Sequence, residues 1–413
     1  MITAAASIFW LSLAGVVYAY AVYPVLIALV ARAFGRTPSR PPATPDNLPT
    51  ATLLISAYNE ESVIAQRIED ALQMNYPSEK MQIVVASDGS SDRTADIVAQ
   101  FCGADVTAGP SRTPRVRLIN PGHRRGKSAV LNASIADITT ELVFLSDANT
   151  SFDRDAARNI AAWFADPAVL SVVGRLSLID AATGKNADGM YWKYETFLKK
   201  CEAKLGGLLG ANGAIYAIRR DKFVPIPNHT IVDDFVIPLL ARLHHGGTIV
   251  YDASATATEE SAADVKAEFK RRARIGAGGF QAITILWRLL NPKYGWLAFT
   301  FFSHKLLRWL CPFFLVAMLA ANIALFQIKT YQYLLAAQIA FYALSFMITL
   351  LPPGGKLLKP LRLAPMFTSM NLALLVGFFR WITGRQNAAW TRTARTTPRT
   401  AGVPPAARSE IVV

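Results

Sequence analysis

The sequence predicts an α/β domain built on a mostly parallel sheet, with helices that cross a membrane on both sides of it. Three observations carry that expectation. Long uncharged apolar stretches stand near both ends of the 413-residue chain. The segment between them alternates strand-length apolar runs with helical patterns. Charged residues make up 17% of the chain against 52% hydrophobic, where a soluble domain carries about 25% charge. Outside the ends there is no run dominated by Ser, Gln or Pro of the kind that marks a disordered chain.

The net charge of +14 is confined to two stretches, 266–308 and 353–413, each with nine Lys/Arg and one acid. Basic charge beside apolar segments suits anionic headgroups and the positive-inside rule. A nucleic-acid binder spreads such charge over a folded face, so membrane lipids are the expected partner and nucleic acid is not.

Residues 1–31 carry no charge, and the run 8–30 is long enough to cross about 30 Å of hydrocarbon at 1.5 Å per residue. A secretory signal would open on a basic region and be shorter. Here Arg32, Arg36 and Arg40 follow the run, which makes 1–34 a transmembrane helix that starts outside. The Pro-rich stretch 35–50 is a linker. Strands are then expected at 51–57, 81–86, 115–119 and 141–146, and helices at 60–74, 92–101, 127–138 and 153–164, in β-α-β-α order. A parallel sheet covered on both faces binds ligands outside the carboxyl ends of its strands.

The expected domain closes at 275. Residues 276–308 are expected as interfacial amphipathic helices, since 280–296 has apolar residues at helical spacing and few charges. Uncharged windows at 309–328, 330–355 and 363–379 form a membrane segment, 309–383. The last has 17 residues, at the lower limit of a span, and either crosses or re-enters. Four crossings leave the C-terminus outside, whereas Arg385, Arg392, Arg395, Arg399 and Arg408 in the disordered tail 384–413 favour the inside. His304-Lys305 and Arg308-Trp309 are expected as interfacial anchors. Cys102, Cys201 and Cys311 show no metal or disulfide spacing and read as small buried hydrophobes. The five histidines show no metal spacing either.

Polar residues follow the strands where a ligand is expected: Tyr58-Asn59-Glu60-Glu61 after the first, Asp88-Gly89-Ser90-Ser91-Asp92 after the second, Asp147-Ala148-Asn149 after the fourth. Each group alone suits a turn or a helix cap. Their joint placement at successive strand ends points to a binding site.

With Asp233-Asp234, Arg271-Arg272-Ala273-Arg274-Ile275 and the segments 126–132 and 210–214 added, the sequence resembles the membrane-associated family 2 glycosyltransferases of GT-A (Rossmann-like) fold. That group includes the synthases of hyaluronan, chitin, poly-N-acetylglucosamine and cellulose, and the ceramide glucosyltransferases. The resemblance covers most of 51–275. It implies a UDP-sugar donor, a divalent metal (Mg²⁺ or Mn²⁺), a glycan or lipid acceptor, and a cytoplasmic catalytic domain on an integral protein of the bacterial inner membrane.

Charge grows on the diphosphate as the glycosidic bond breaks, and a divalent ion held by oxygen ligands stabilises it. The resemblance assigns that ion to Asp147 and Asn149. It assigns the nucleotide side to Asp88, helped by Tyr58 and Glu60 with Lys127 nearby, and the diphosphate to Arg271 and Arg274, which share a helix face at i and i+3. A base must take the acceptor hydroxyl's proton; the counterpart residue is Asp234, with Asp233 the alternative. Three departures stand out. Asn149 replaces a second Asp, Ile275 replaces the Trp that lies near the acceptor sugar in processive synthases, and the Thr and Glu of the base motif are missing before Asp234. The expected activity is inverting transfer onto a cell-surface polysaccharide or oligosaccharide. Glycosylation of a membrane lipid, a non-catalytic nucleotide-sugar-binding subunit, and a channel or transporter are the rival readings.

Overall fold

The structure, a computed structural model, describes residues 2–102, 115–180, 186, 189–260, 265–351 and 361–386. Helix α1 (Ile2–Val17) passes through a π-turn into α2 (Tyr23–Phe34), giving one uninterrupted 33-residue apolar helix. The domain then runs β1 (Ala51–Ala57), α3 (Ile64–Leu72), β2 (Met81–Ser87), α4 (Thr94–Cys102), β3 (Val116–Ile119), α5 (Lys127–Ala136), β4 (Leu142–Asp147) and β5 (Ser151–Phe152). It continues through α6 (Ala156–Ala162), β6 (Val169–Ile179), α7 (Met190–Lys204), β7 (Tyr216–Arg219), α8 (Asp233–His245), β8 (Thr248–Glu260) and α9 (Val265–Leu286). Helix α10 (Trp296–Thr300) leads through a second π-turn into α11 (Leu307–Ala324), followed by α12 (Lys329–Thr349) and α13 (Leu363–Ile382).

Among the described residues eight strands form one sheet in the order β3-β2-β1-β4-β7-β6-β8-β5. The first four are parallel, as the β-α-β-α pattern predicts. The second half is mixed: β7 is antiparallel to β4 and β6, β6 and β8 are parallel, and the two-residue β5 pairs antiparallel with β8. Consecutive strand residues point to opposite faces, and here both faces are covered. Leu53, Ile55, Ile83, Val85 and Phe144 join the core under α3, α4 and α6. Leu54, Val84, Val143 and Leu145 join the core under α5 and α8.

That second core also takes in Ala282 and Leu286 of α9 and Leu297 and Phe301 at the start of the next helix. The membrane-side helices are therefore packed into the domain. This corrects two expected boundaries. Helix α9 runs unbroken through 275, and the next apolar helix, Trp296–Ala324, begins well before 309. Gly276 and Gly279 within α9 allow close packing: a Cβ at Gly276 would lie 3.2 Å from the Leu374 backbone, and one at Gly279 would lie 2.7 Å from the Trp309 ring. Helix α13 has 20 residues, so among the described residues four helices are long and apolar enough to cross a membrane. Residues 352–355 of the second window and 387–413 of the basic tail lie outside the described residues.

His304 and Arg308 are not interfacial anchors. His304 is 1% exposed and its Nδ1 lies 2.5 Å from Glu202 Oε1, to which the Tyr23 hydroxyl also donates at 2.7 Å. Arg308 is buried and pairs with Glu195. Buried charges need partners, and α7 supplies two acids on one side, so these residues tie α2, α7 and the 296–324 helix together. Cys201 and Cys311 are buried and Cys102 half-buried, and all three are free thiols. Trp192 packs: its Nε1 donates to Leu176 O at 2.9 Å.

Candidate functional site

The site forms along the carboxyl ends of β1, β2 and β4. Asp147 is the last residue of β4, and Lys127, the first residue of α5, donates to its Oδ1 at 2.7 Å. The same Nζ lies 3.3 Å from Asp233 Oδ2 at the start of α8. Lys127 is thus an internal ion-pair partner and not a solvated surface charge, and its two acids raise its pKa against the burial that lowers it. Asp234 follows with its Oδ1 accepting from Phe235 N at 2.9 Å. Burial, together with the charges of Asp233 and Asp147, pushes its carboxyl up to about 6. Of the two adjacent acids, Asp233 is the one spent on Lys127, which leaves Asp234 better suited to accept a proton.

Gly213, in the loop between α7 and β7, floors this group. A Cβ there would lie 3.0 Å from Asp147 Oδ2 and 3.7 Å from Asp234 Oδ2. The two carboxylates therefore face one small space, kept open by a residue with no side chain. Asn149 is half-buried in the turn after Asp147.

Asp88 is 1% exposed and accepts from Arg125 N at 2.6 Å and from Gly126 N at 3.0 Å. Its carboxylate shapes the loop that enters α5, so its place in the structure is to fix the strand-end crevice. Gly89 allows that approach, with φ +63° and no room for a Cβ, which would meet the His123 carbonyl carbon at 2.5 Å. Tyr58 lies under the Arg124 guanidinium, 3.9 Å from ring centroid to carbon. Glu60 is buried, its N–H donating to Thr94 Oγ1 at 2.8 Å. Tyr58, Glu60 and Asp88 are brought to one edge, beside the Lys127 helix start.

Arg271 is exposed and held by Glu268 at 2.9 Å. The structure joins it with Arg272, whose Nε lies 2.7 Å from the same carboxylate and whose guanidinium covers the Tyr191 ring at 4.9 Å. Arg274, the partner expected from the sequence, is half-buried on the same helix.

Two residues escaped the sequence reading, Arg124 and Glu259, while Gly213 and Arg272 lay inside recognised segments with no role of their own. Glu259 near the end of β8 accepts from Thr150 Oγ1 at 2.6 Å, and burial with the Asp147 charge pushes its carboxyl up to about 7. The signal for Glu259 was an alternating run at 248–260 that ends in two acids.

The donor set fits a hard divalent cation. Carboxylate and amide oxygens are what Mg²⁺ and Mn²⁺ take, and Asp147, Asp233 and Asp234 gather around one ammonium, leaving an excess of negative charge. Among the described residues no three His, Cys, Asp or Glu side chains form a complete cage. Ions of this kind use one or two carboxylates and fill the rest of the shell with phosphate oxygens and water.

A family model for glycosyl transferase family 2 matches residues 52–224. The beta-monoglucosyldiacylglycerol synthase of Synechocystis sp. is 25% identical over 64% of this chain and 55% of its own length. The poly-beta-1,6-N-acetyl-D-glucosamine synthase of Staphylococcus aureus is 24% identical over 59% of this chain and 58% of its own. The chain thus spans little more than half the length of these relatives. A mannosyltransferase of Pyrobaculum calidifontis, solved with GDP-mannose and Mn²⁺, superimposes with a TM-score of 0.68 at 19% identity, covering 92% of this chain and 99% of that one. That likeness is one of fold. The family 2 model lies over residues 52–224, which include Asp88 and Asp147 but not Asp233 or Asp234, and the domain has the fold of a GT-A glycosyltransferase.

Proposed function

We propose that the protein is an inverting glycosyltransferase that moves a sugar from a UDP-sugar donor onto a growing cell-surface polysaccharide or oligosaccharide at the cytoplasmic face of a bacterial inner membrane. The observation that carries this reading is the meeting of Asp147, Asp233 and Asp234 around Lys127, with Asp234 left to act as a base. Asp147 and Asn149 would hold the Mg²⁺ or Mn²⁺ ion. When bound, the ion supplies Lewis-acid stabilisation of the leaving diphosphate. Tyr58, Glu60 and Asp88 define the nucleotide end of the crevice, and Arg271 and Arg274 bring positive charge from α9 to the diphosphate end. Asp234 takes the acceptor hydroxyl's proton as the oxygen attacks the anomeric carbon and the nucleoside diphosphate leaves. One displacement inverts that carbon.

A second acceptor class is favoured by one specific observation. Ile275, 39% exposed on α9, stands where the family pattern has a Trp, and an isoleucine gives no aromatic face on which a sugar can stack. A membrane lipid acceptor is consistent with that difference and with the packing of α9 among apolar helices.

The test is nucleoside diphosphate release by detergent-purified protein over a panel of UDP- and GDP-sugars, with Mg²⁺ or Mn²⁺ and with Asp234→Asn as control. Sugar-selective, metal-dependent release that vanishes in the variant supports transfer. Added lipid extract or oligosaccharide then distinguishes the acceptors. Nucleotide binding with no turnover under any of these conditions overturns the enzymatic reading in favour of a binding subunit.

A further inference from the structure

Glu259 stands at the junction of two parts of the site that are far apart in sequence. Thr150, 1% exposed, directly follows Asn149; its N–H donates to Asp147 O at 3.3 Å and its hydroxyl to Glu259 Oε1 at 2.6 Å. The next two residues continue the attachment, because Ser151 pairs with Thr258 and Phe152 with Ala257. The turn carrying Asp147 and Asn149 is therefore stapled to β8 at consecutive positions, with Glu259 at the end nearest the acids. Its carboxyl feels the Asp147 charge and, with opposite sign, those of Arg271 and Lys127. Residue 149 brings an amide where the family pattern brings an acid.

Taking the site to be a metal-assisted glycosyltransferase centre, we propose that Glu259 is a positioning residue that restores from β8 the negative charge missing at Asn149. It holds the 147–150 turn through Thr150 and sets the site's potential, and hence its affinity for a divalent cation. A neighbour that orients and charges a metal-bearing segment commonly changes metal affinity by about 10- to 100-fold when removed.

The test measures equilibrium binding of labelled UDP to the full-length protein in detergent as a function of Mn²⁺ concentration. At pH 8, where the Glu259 carboxyl is ionised, Glu259→Gln keeps an oxygen for the Thr150 hydroxyl and removes only the charge, so the fold is retained. It is expected to raise the half-saturating Mn²⁺ concentration about 10-fold or more. Asn149→Asp added to Glu259→Gln is expected to bring that concentration back toward the wild-type value, a rescue that a purely structural role would not produce. A half-saturating concentration unchanged in Glu259→Gln, or no recovery in the double variant, overturns the inference. If Asp147→Asn loses the Mn²⁺ dependence while Glu259→Gln keeps it, the inference fails and the glycosyltransferase reading stands. If wild-type UDP binding has no Mn²⁺ dependence, both fail.

Discussion

Gly377 of α13 lies directly against Ala273 of α9: a Cβ on the glycine would sit 2.6 Å from the Ala273 carbonyl oxygen and 2.7 Å from Ala277 N. Ala273 is fully buried and stands between Arg272 and Arg274. An apolar helix long enough to cross a membrane thus sets the position of the arginine helix by backbone contact. Replacing Gly377 by Ala forces α9 and α13 apart. Overpacking of this kind costs about 1–3 kcal/mol, so a lower melting temperature in detergent is expected, together with weaker donor binding. Full nucleotide affinity in a folded Gly377→Ala protein would show that α9 is placed by its domain contacts alone.

Asp234 gives a prediction with a definite pH sign. Its folded-state carboxyl sits at about 6, raised by burial and by the Asp233 and Asp147 charges. Proton binding therefore favours the folded state, and that contribution is complete below the unfolded pKa and lost as pH rises through about 6. Without divalent metal, Asp234→Asn should be more stable than wild type at pH 8, by on the order of 2 kcal/mol. The difference should shrink toward zero by about pH 4. Thermal melts in EDTA across that range check it; a variant less stable at pH 8 contradicts the placement of the three acids.

In the proposed reaction the same group sets the pH profile of transfer. A base must be ionised to accept a proton, so kcat/KM should fall about tenfold per pH unit on the acid side of the Asp234 pKa. A divalent ion held by Asp147 would add positive charge and move that limb below 6. An acid limb at higher pH in the presence of saturating Mn²⁺ would assign it to another group.

Gly213 borders the space that Asp147 and Asp234 both face. A methyl group there would press on Asp147 Oδ2 at 3.0 Å while the surrounding sheet stays untouched. Gly213→Ala is expected to reduce kcat/KM by about 100-fold, the scale of a misplacement of about 1 Å, with a melting temperature close to wild type. Equal loss of stability and activity would mean that the glycine serves the backbone and not the site.

Glu202 provides a structural control remote from the acids. It accepts from the Tyr23 hydroxyl and lies against His304, both buried. Glu202→Ala strands both partners and should destabilise the protein by about 3–5 kcal/mol. Because Tyr23 belongs to the N-terminal helix, limited proteolysis after residue 34 should become faster in this variant. Unchanged cleavage would mean the helix is held by apolar contacts alone.

Much of the fold was legible in advance because its signals are local. The four parallel strands follow from apolar runs broken by helical patterns, and their ends fall within a residue or two of the expected positions. Asp147, Asp233 and Asp234 were legible as candidate site residues because they stand at the carboxyl end of a strand and at a helix start, where a ligand can approach. The second half of the sheet was not among the expected strands: β5 is two residues long and β7 four, too short for a periodic pattern to register, whereas β6 and β8, with 11 and 13 residues, are long enough to do so.

What the sequence determined by itself was the class of the domain, the apolar segments and the acids that belong to the strand ends, since periodicity, hydropathy and turn chemistry act over a few residues. Only the tertiary structure decided how those acids are used. Lys127 is drawn in between Asp147 and Asp233, with Asp234 beside them; Glu259 reaches the turn after Asp147 from 109 residues away; His304 and Arg308 lie buried against α7 when their place beside an apolar run suggested a lipid surface. Each outcome depends on which distant charge comes within a few ångströms in a region of low dielectric. That is set by how the strands are ordered and the helices packed, and no local pattern contains it.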